Sequence, residues 1–128
     1  MRAAGVTVFG GPEALHILDV EPELLGPGQV RIQVQAAAVA PTDTHARSGA
    51  YAGRDPFKTP PWVPGMDVAG VVTEVGEGVE HLAVGDLAMG IVVPIGPHGA
   101  YREDKVLPAT RWCGRRGAPP PSRRARCR

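Results

Sequence analysis

Residues 64–90, PGMDVAGVVTEVGEGVEHLAVGDLAMG, constrain the fold of this 128-residue chain more than any other stretch. They contain two apolar runs, residues 68–75 and 87–93, separated by Gly76, Gly78, Gly85 and Asp86. Valine is stiff at χ1 and suits a pleated, half-buried surface better than a helix, whereas glycine tolerates the positive φ of tight turns. We therefore expect two strands joined by turns within a compact β-barrel or β-sandwich.

Other segments also have strand patterns. Residues 2–9 and 15–20 are short and apolar on either side of a Gly-Gly-Pro-Glu sequence, which predicts a hairpin. In residues 30–36, apolar residues alternate with Arg31, Gln33 and Gln35, as in a strand with one buried face. Residues 100–107 are expected to form the last strand. Residues 50–63, rich in proline and aromatic residues, are expected to form an irregular loop.

One short helix is expected at residues 43–48. Thr42 is a suitable N-cap, the Asp43 carboxylate favours the positive end of a helix, and Gly49 is well placed to end it. Asp43 is therefore interpreted as a helix-start residue rather than an acid catalyst. Asp67 lies within an apolar run, and we expect its carboxylate to accept structural hydrogen bonds.

Charge is distributed unevenly along the chain. Residues 1–108 contain all 13 acidic residues and 7 of the 14 lysines and arginines, whereas residues 109–128 contain the other seven, all arginine. This tail has three consecutive prolines and no Leu, Ile or Val, so we expect it to be disordered. Three interpretations fit the composition of this tail: a basic arm that binds nucleic acid, a frameshifted or truncated reading frame, or a dispensable tail. We favour a frameshift or truncation because the change after Pro108 is abrupt.

Both cysteines, Cys113 and Cys127, lie in this tail. The body therefore has no thiolate for a disulfide or a metal site. No run approaches the roughly 18 apolar residues of a membrane span. Met1 and Arg2 lead directly into a strand rather than into the apolar segment of a signal peptide. We expect a cytoplasmic protein with no membrane partner.

Four ordered blocks of the sequence carry a family resemblance. The pattern PG-x-D-x-AG-x-V-x-x-VG-x-GV is preceded in order by MRAAGVTVFGGPEALHI, GPGQVRIQVQAAAVAPTD and THARSGAY. Together they resemble the N-terminal, GroES-like catalytic domain of the medium-chain dehydrogenase/reductase superfamily, an alcohol dehydrogenase type of domain. The branch most resembled is the zinc-free quinone oxidoreductases, the zeta-crystallin group. The resemblance covers residues 1–108 and implies a mainly β fold, a GroES-like β-barrel with one short helix.

The resemblance also bears on the cofactor domain. Family members normally continue into a Rossmann domain, which binds the dinucleotide through G-x-G-x-x-G between a strand and a helix. No G-x-G-x-x-G occurs in this sequence. We therefore expect the Rossmann domain to be absent and this chain alone to be inactive.

In zinc-dependent relatives the metal ligands come from motifs like G-x-C-H-T-D and G-H-E, and the matching positions here are Ala40 and Met66. Neither side chain holds zinc as a thiolate or an imidazole does. The four histidines show no ligand spacing with Cys or Glu. The resemblance thus implies zinc-free chemistry, in which NADPH or NADH transfers hydride to a quinone or another conjugated carbonyl.

By the resemblance, residues 40–51 line the nicotinamide and substrate cleft. Ala40, Pro41 and Thr42 are the expected cofactor-binding residues, although relatives usually have Asn where this chain has Ala40. His45 and Tyr51 are the expected catalytic donors; relatives often have Tyr at the position of His45, and Tyr51 matches a family Tyr. Two alternatives stay open: His45 lies on an exposed helix face, or Tyr51 is a loop aromatic with its hydroxyl in water.

The leading hypothesis is the N-terminal catalytic-domain fragment of an NAD(P)H-dependent quinone reductase-like oxidoreductase, with a small-molecule quinone or enone as substrate. Full-length family members are often homodimers, and nucleic acid is not an expected partner. The alternative is a non-enzymatic GroES-like β module whose basic arm binds a polyanion. Binding that weakens steeply with salt would identify this alternative.

Overall fold

The computed structural model describes residues 1–53 and 60–115. These residues form seven strands, one α-helix and two short 3₁₀ helices. The strands are β1 (Arg2–Gly5), β2 (His16–Asp19), β3 (Gln29–Ala37), β4 (Asp67–Val75), β5 (Leu87–Ile91), β6 (Asp104–Pro108) and β7 (Trp112–Arg115). The α-helix is α1 (Pro41–Ser48), and the 3₁₀ helices are Pro12–Ala14 and Ala109–Arg111. The prediction of a mainly β fold with one short helix is confirmed.

The strands form two antiparallel sheets. One sheet has five strands in the order β6-β3-β4-β5-β7, and it curls into a half-barrel. The other contains β1 and β2, which pair from Arg2 opposite Asp19 to Gly5 opposite His16. This pairing confirms the predicted hairpin, although its strands are shorter than expected. Single bridges from Ala3 to Arg102 and from Val6 to Trp62 connect the small sheet to the rest of the domain.

The main core lies on the inner face of the five-stranded sheet. It is built from residues on one face of successive strands, including Val30, Ile32, Val68, Val72 and Ala88, with Val92 just beyond β5 and Trp112 fully buried among them. The alternation predicted for residues 30–36 is confirmed at Val30 and Ile32, which are both inaccessible to solvent. Gly90 has no side chain because the six-membered ring of Trp112 occupies the space that a Cβ would need.

The predicted domain end at Pro108 is wrong. Ala109–Arg111 form a 3₁₀ turn, and β7 then pairs with β5, from Gly90 opposite Trp112 to Leu87 opposite Arg115. The expectation of disorder from residue 109 depended on the lack of aliphatic residues, and it overlooked a tryptophan large enough to anchor an edge strand by itself. Residues 116–128, the remainder of the predicted tail, lie outside the described residues.

Several predicted boundaries also shift. The helix begins at Pro41 with Ala40 as N-cap, rather than with Thr42 in that role, because proline is preorganised for the first helical position. Gly49 ends the helix in the left-handed conformation, with φ of 89°, as expected. The last predicted strand begins at Asp104 rather than at residue 100. Within the described part of the chain, no helix is long and apolar enough to cross a bilayer.

A buried ionic cluster fixes the segment before β3 onto the domain. The Glu23 carboxylate accepts hydrogen bonds from Lys105 Nζ at 2.6 Å and from the Val106 backbone N–H at 2.8 Å. Arg102 Nη1 lies 3.5 Å from the same carboxylate, and the Arg102 side chain is inaccessible to solvent. Burial raises the pKa of Glu23, but the Lys105 and Val106 hydrogen bonds and the charges of Lys105 and Arg102 hold it below its ordinary value. Burial in turn lowers the pKa of Lys105.

Candidate functional site

The N-terminus of α1 is organised by Asp43. Its Oδ2 accepts a hydrogen bond from the Ala40 N–H at 2.8 Å, while the Asp43 N–H donates to the Ala40 carbonyl oxygen at 3.0 Å. The carboxylate thus satisfies a backbone donor that the helix itself leaves without a partner. Asp43 is only 4% exposed. This geometry agrees with its interpretation as a helix-start residue.

The same carboxylate also reaches the loop before β4. Asp43 Oδ1 accepts a hydrogen bond from the Gly65 N–H at 2.8 Å, across 22 residues of sequence. Gly65 has φ of 108° and lies against Ala100 and Tyr101, so the loop approaches too closely for a side chain there. One buried carboxylate therefore holds two distant segments together, and these segments carry Ala40 and Met66.

Tyr101 completes this network. Its hydroxyl lies 3.1 Å from Asp43 Oδ2 and 3.2 Å from the Ala38 carbonyl oxygen. Burial, the negative charge of Asp43 and the hydrogen bond to that carboxylate raise the pKa of Tyr101 to about 12. Tyr101 therefore stays protonated and serves as a donor to Asp43. Sequence reasoning missed this residue, because nothing near position 101 indicates that its side chain reaches α1.

The structure places the predicted site residues on α1 and the turn after it. Ala40 and Thr42 are partly buried, and Pro41 is exposed. His45 is exposed on α1, and its ring centroid lies 6.2 Å from that of Tyr51 in an edge-to-face arrangement. The two predicted catalytic side chains are therefore neighbours. His45 shares α1 with Pro41 and Thr42, whereas Ala40 is the N-cap of α1 and Tyr51 lies in the turn after it.

A groove of about 980 Å³, here called the sheet groove, opens on the outer face of the five-stranded sheet. It is lined by residues 36–38, 67–69 and 89–91 together with Val93, Thr110, Arg111 and Cys113. None of the five predicted site residues lines it. The sequence feature that could have indicated this groove is the run at residues 87–93. It is apolar at every position, so it supplies an apolar outer face as well as the inner face of a strand.

Asp67 differs from its predicted role. Its carboxylate lies exposed in the sheet groove and accepts no hydrogen bond from the residues that the structure describes. The backbone carbonyl oxygen of Asp67, by contrast, accepts a hydrogen bond from the Ala38 N–H at 3.3 Å. The expectation of a structural acceptor is wrong because position 67 is the first residue of β4 and points away from the core.

Across residues 1–53 and 60–115, no three side chains of His, Cys, Asp or Glu converge as a metal site would require. Ala40 and Met66 lie on the two segments joined by Asp43, and neither carries an imidazole or a carboxylate.

The chain is similar to a known domain family and to known quinone oxidoreductases. Residues 26–116 match the family described as the alcohol dehydrogenase GroES-like domain. The chain is 40% identical over 102 residues to the quinone oxidoreductase of Lama guanicoe. The aligned residues cover 79% of this chain and 30% of that protein. It is 42% identical over 87 residues to the quinone oxidoreductase of Rattus norvegicus, covering 67% of this chain and 26% of the relative.

Solved structures agree with these matches. An NAD-dependent alcohol dehydrogenase superimposes with a TM-score of 0.78 at 31% identity, covering 89% of this chain and 39% of that one. The Escherichia coli quinone oxidoreductase complexed with NADPH gives a TM-score of 0.72 at 25% identity, covering 89% of this chain and 33% of that one. The chain thus spans less than a third of the length of the curated relatives named above.

Proposed function

Since the chain belongs to the alcohol dehydrogenase GroES-like domain family, we propose that residues 40–51 form one wall of an oxidoreductase active site. In this proposal a nicotinamide nucleotide transfers hydride to a quinone or another conjugated carbonyl. The observation that carries it is the Asp43 carboxylate, which fixes the start of α1 against the Gly65 loop. Hydride transfer requires the cofactor to be held at a fixed position against the acceptor, and a rigid α1 can provide that position.

The residues present suit the nicotinamide end of such a cofactor. Ala40 has a small side chain, Pro41 is exposed, and Thr42 offers a hydroxyl, so a flat ring can approach the start of α1. The sequence offers no G-x-G-x-x-G for the pyrophosphate. The bound nucleotide would supply the hydride, and Ala40, Pro41 and Thr42 would orient its ring.

His45 and Tyr51 are the proposed donors to the acceptor. As a carbonyl is reduced, negative charge develops on its oxygen, and a fixed N–H or O–H donor stabilises that charge. The two rings lie edge to face, so each restricts the orientation of the other. Proposed zinc independence follows from Ala40 and Met66, because a site without the ligand pair must rely on such donors instead of a Lewis acid.

The chain itself permits a direct binding test. Reduced nicotinamide mononucleotide, which lacks the adenosine half, is titrated into the isotope-labelled chain, and amide shifts are followed by NMR. We expect weak, saturable shifts confined to residues 40–51 and the Gly65 loop. Shifts scattered over the domain, or none at millimolar ligand, would contradict the assignment of this wall.

Activity is tested in a longer form that carries a dinucleotide-binding half, with NADPH and 1,4-benzoquinone. We expect no saturable turnover by the chain alone, because most of the cofactor-binding energy comes from contacts that the G-x-G-x-x-G turn provides. In the longer form, Tyr51→Phe should lower kcat/KM by about 10²-fold if its hydroxyl donates to the developing oxyanion. His45→Gln is compared with His16→Gln, a matched change on β2. Equal kcat/KM for both histidine variants would remove His45 from the site.

A further inference from the structure

Tyr101 lies between the two segments that the Asp43 carboxylate joins. We propose that Tyr101 is a positioning residue for the nicotinamide ring, because its phenol fixes residues 38–43, which carry the three residues proposed to orient that ring. The inference rests on the proposed function and deepens it. Tyr101 acts through Ala38 and Asp43, so its side chain needs no contact with substrate or cofactor.

The hydroxyl of Tyr101 contacts both ends of residues 38–43. It lies 3.2 Å from the Ala38 carbonyl oxygen and 3.1 Å from Asp43 Oδ2. Both acceptors are thus within hydrogen-bond distance of one oxygen atom, although Ala38 follows β3 and Asp43 belongs to α1. Because one hydroxyl is bound to both ends, it restricts the path of the chain between them, which contains Ala40, Pro41 and Thr42.

The backbone of Tyr101 is itself held in place. Its N–H donates to the Pro64 carbonyl oxygen at 3.0 Å, and its carbonyl oxygen accepts a hydrogen bond from the Ala4 N–H at 2.8 Å. Its ring lies against Gly65, where a Cβ would come within 2.8 Å of Tyr101 Cδ1. The phenol therefore projects from a fixed backbone, and it sets the position of residues 38–43 relative to the Gly65 loop.

The buried Asp43 carboxylate requires this donor. A carboxylate that has lost its water is stabilised only when hydrogen bonds replace that water. The Ala40 and Gly65 N–H groups supply two of these bonds, and among the described residues Tyr101 is the only side chain that donates to the carboxylate. Burial and the negative charge of Asp43 raise the pKa of Tyr101 to about 12, so the phenol remains a donor at neutral pH.

The reaction of the proposed function is sensitive to distance. A hydride passes from the reduced nicotinamide to the acceptor, which then takes up a proton from water, and the nicotinamide is left oxidised. The reacting atoms must lie about 3–3.5 Å apart, and a displacement of about 1 Å can slow such a step by up to about 10²-fold. Without the Tyr101 hydroxyl, two backbone donors alone hold the Asp43 carboxylate, so we expect a looser wall rather than an unfolded domain.

The test begins with the chain itself and Tyr101→Phe, which removes only the hydroxyl. Nitrogen-15 relaxation dispersion and hydrogen exchange are measured at the amides of Val39, Ala40 and Thr42. We expect new motion on the microsecond-to-millisecond timescale at these amides. Hydrogen exchange at Ala40 should be about tenfold faster, as expected when a hydrogen bond to a charged group is weakened. Thr73→Val removes a hydroxyl bonded to a β3 carbonyl oxygen, keeps the side-chain shape, and should leave these amides unchanged.

Two further measurements separate positioning from a general structural role. Reduced nicotinamide mononucleotide should bind the Tyr101→Phe chain with a Kd about tenfold higher, because the loosened wall must be ordered on binding. In the longer form, single-turnover oxidation of NADPH by 1,4-benzoquinone should have a rate constant about tenfold lower. The amplitude of that step counts the active enzyme. A variant that only lost folded protein would show a smaller amplitude and an unchanged rate constant.

Failure of this inference and failure of the proposed function give different results. Absence of nucleotide binding by the unmodified chain would overturn the proposed function, and the role of Tyr101 with it. Equal Kd and equal rate constants in the unmodified protein and Tyr101→Phe would overturn the role of Tyr101 alone. Unchanged exchange at Ala40, or the same change in Thr73→Val, would also overturn it. Near-ultraviolet circular dichroism from buried Trp112 checks folding. If Tyr101→Phe does not fold, Tyr101→His replaces it, with the same direction of change expected.

Discussion

The indole N–H of Trp112 donates a hydrogen bond to the backbone carbonyl oxygen of Val30, 3.3 Å away, and joins the edge strand β7 to the middle of the core. Both residues are inaccessible to solvent. This contact spans 82 positions of sequence and crosses the predicted domain end at Pro108. It shows that the domain includes β7, and it makes the stability of the fold depend on a residue from the arginine-rich region.

Trp112→Ala should therefore lower the free energy of unfolding by about 3–5 kcal/mol, because it removes the largest buried side chain and leaves a cavity. Urea unfolding followed by far-ultraviolet circular dichroism measures the change. Trp112→Phe, which keeps an aromatic ring but loses the N–H donor, should cost less. A chain ending at Pro108 should be much less stable than one ending at Arg115. Equal stability of these two truncations would contradict a structural role for β7.

Glu23→Gln should lower the free energy of unfolding by about 3–5 kcal/mol, because it leaves the buried Lys105 and Arg102 charges without their carboxylate. The folded-state pKa of Glu23 lies below the ordinary value of 4.5, so its contribution is complete above pH 4.5 and is lost as pH falls through the folded-state pKa. Thermal unfolding between neutral and acidic pH should show a smaller pH dependence in this variant. Glu77→Gln, on an exposed turn, is the control and should leave the free energy of unfolding at neutral pH unchanged.

Tyr101 should titrate near pH 12, well above free tyrosine, because burial and the Asp43 carboxylate disfavour the phenolate. Since the folded-state pKa is raised above 10, the stability linked to this proton is complete below pH 10 and is lost between pH 10 and about 12. Ultraviolet difference absorbance should show a step near pH 12 that Tyr101→Phe removes and Tyr51→Phe leaves in place. Absence of a step near pH 12 in the folded chain would be inconsistent with the hydrogen bond to Asp43.

Asp43→Asn should loosen the start of α1 and the Gly65 loop together, because one carboxylate accepts hydrogen bonds from both backbones. Hydrogen exchange at the amides of Ala40 and Gly65 should accelerate in parallel, by about tenfold or more if the contribution of a charged hydrogen bond is lost at each. Thr44→Ala, which removes a hydroxyl bonded only within α1, is the matched control. Acceleration at Ala40 alone would mean that Gly65 is held by other contacts.

The chain is expected to bind no stoichiometric zinc, because Ala40 and Met66 occupy the positions of a thiolate and an imidazole ligand in zinc-dependent relatives. Elemental analysis of chelator-treated chain dialysed against zinc measures this. The Ala40→Cys/Met66→His variant serves as the comparison and should retain more metal. Stoichiometric zinc in the unmodified chain, in the same amount as in the double variant, would refute the proposed zinc independence.

The sequence by itself determined the strands before residue 109, the helix and the family, but not the edge strand β7. Two-residue alternation at residues 30–36, β-branched residues at 68–75 and glycines between the runs are local features, and each depends only on neighbours along the chain. Gly49 ends α1 as predicted, because the left-handed φ that stops the helix is a local property of glycine. The four sequence blocks likewise identified a family whose match to residues 26–116 agrees with them.

Only the tertiary structure decided which distant residues meet. Asp43 binds Gly65, Tyr101 reaches Asp43, and Trp112 fills the core beside Val30, over separations of 22, 58 and 82 positions. No sequence period encodes such contacts, because they depend on strand order and on the curl of the sheet. The exposed position of Asp67 likewise comes from the pairing of β4 with β5, in which Asp67 lies opposite Ile91. A side chain within an apolar run points to the core or to solvent according to register, and register is fixed only when the strands pair.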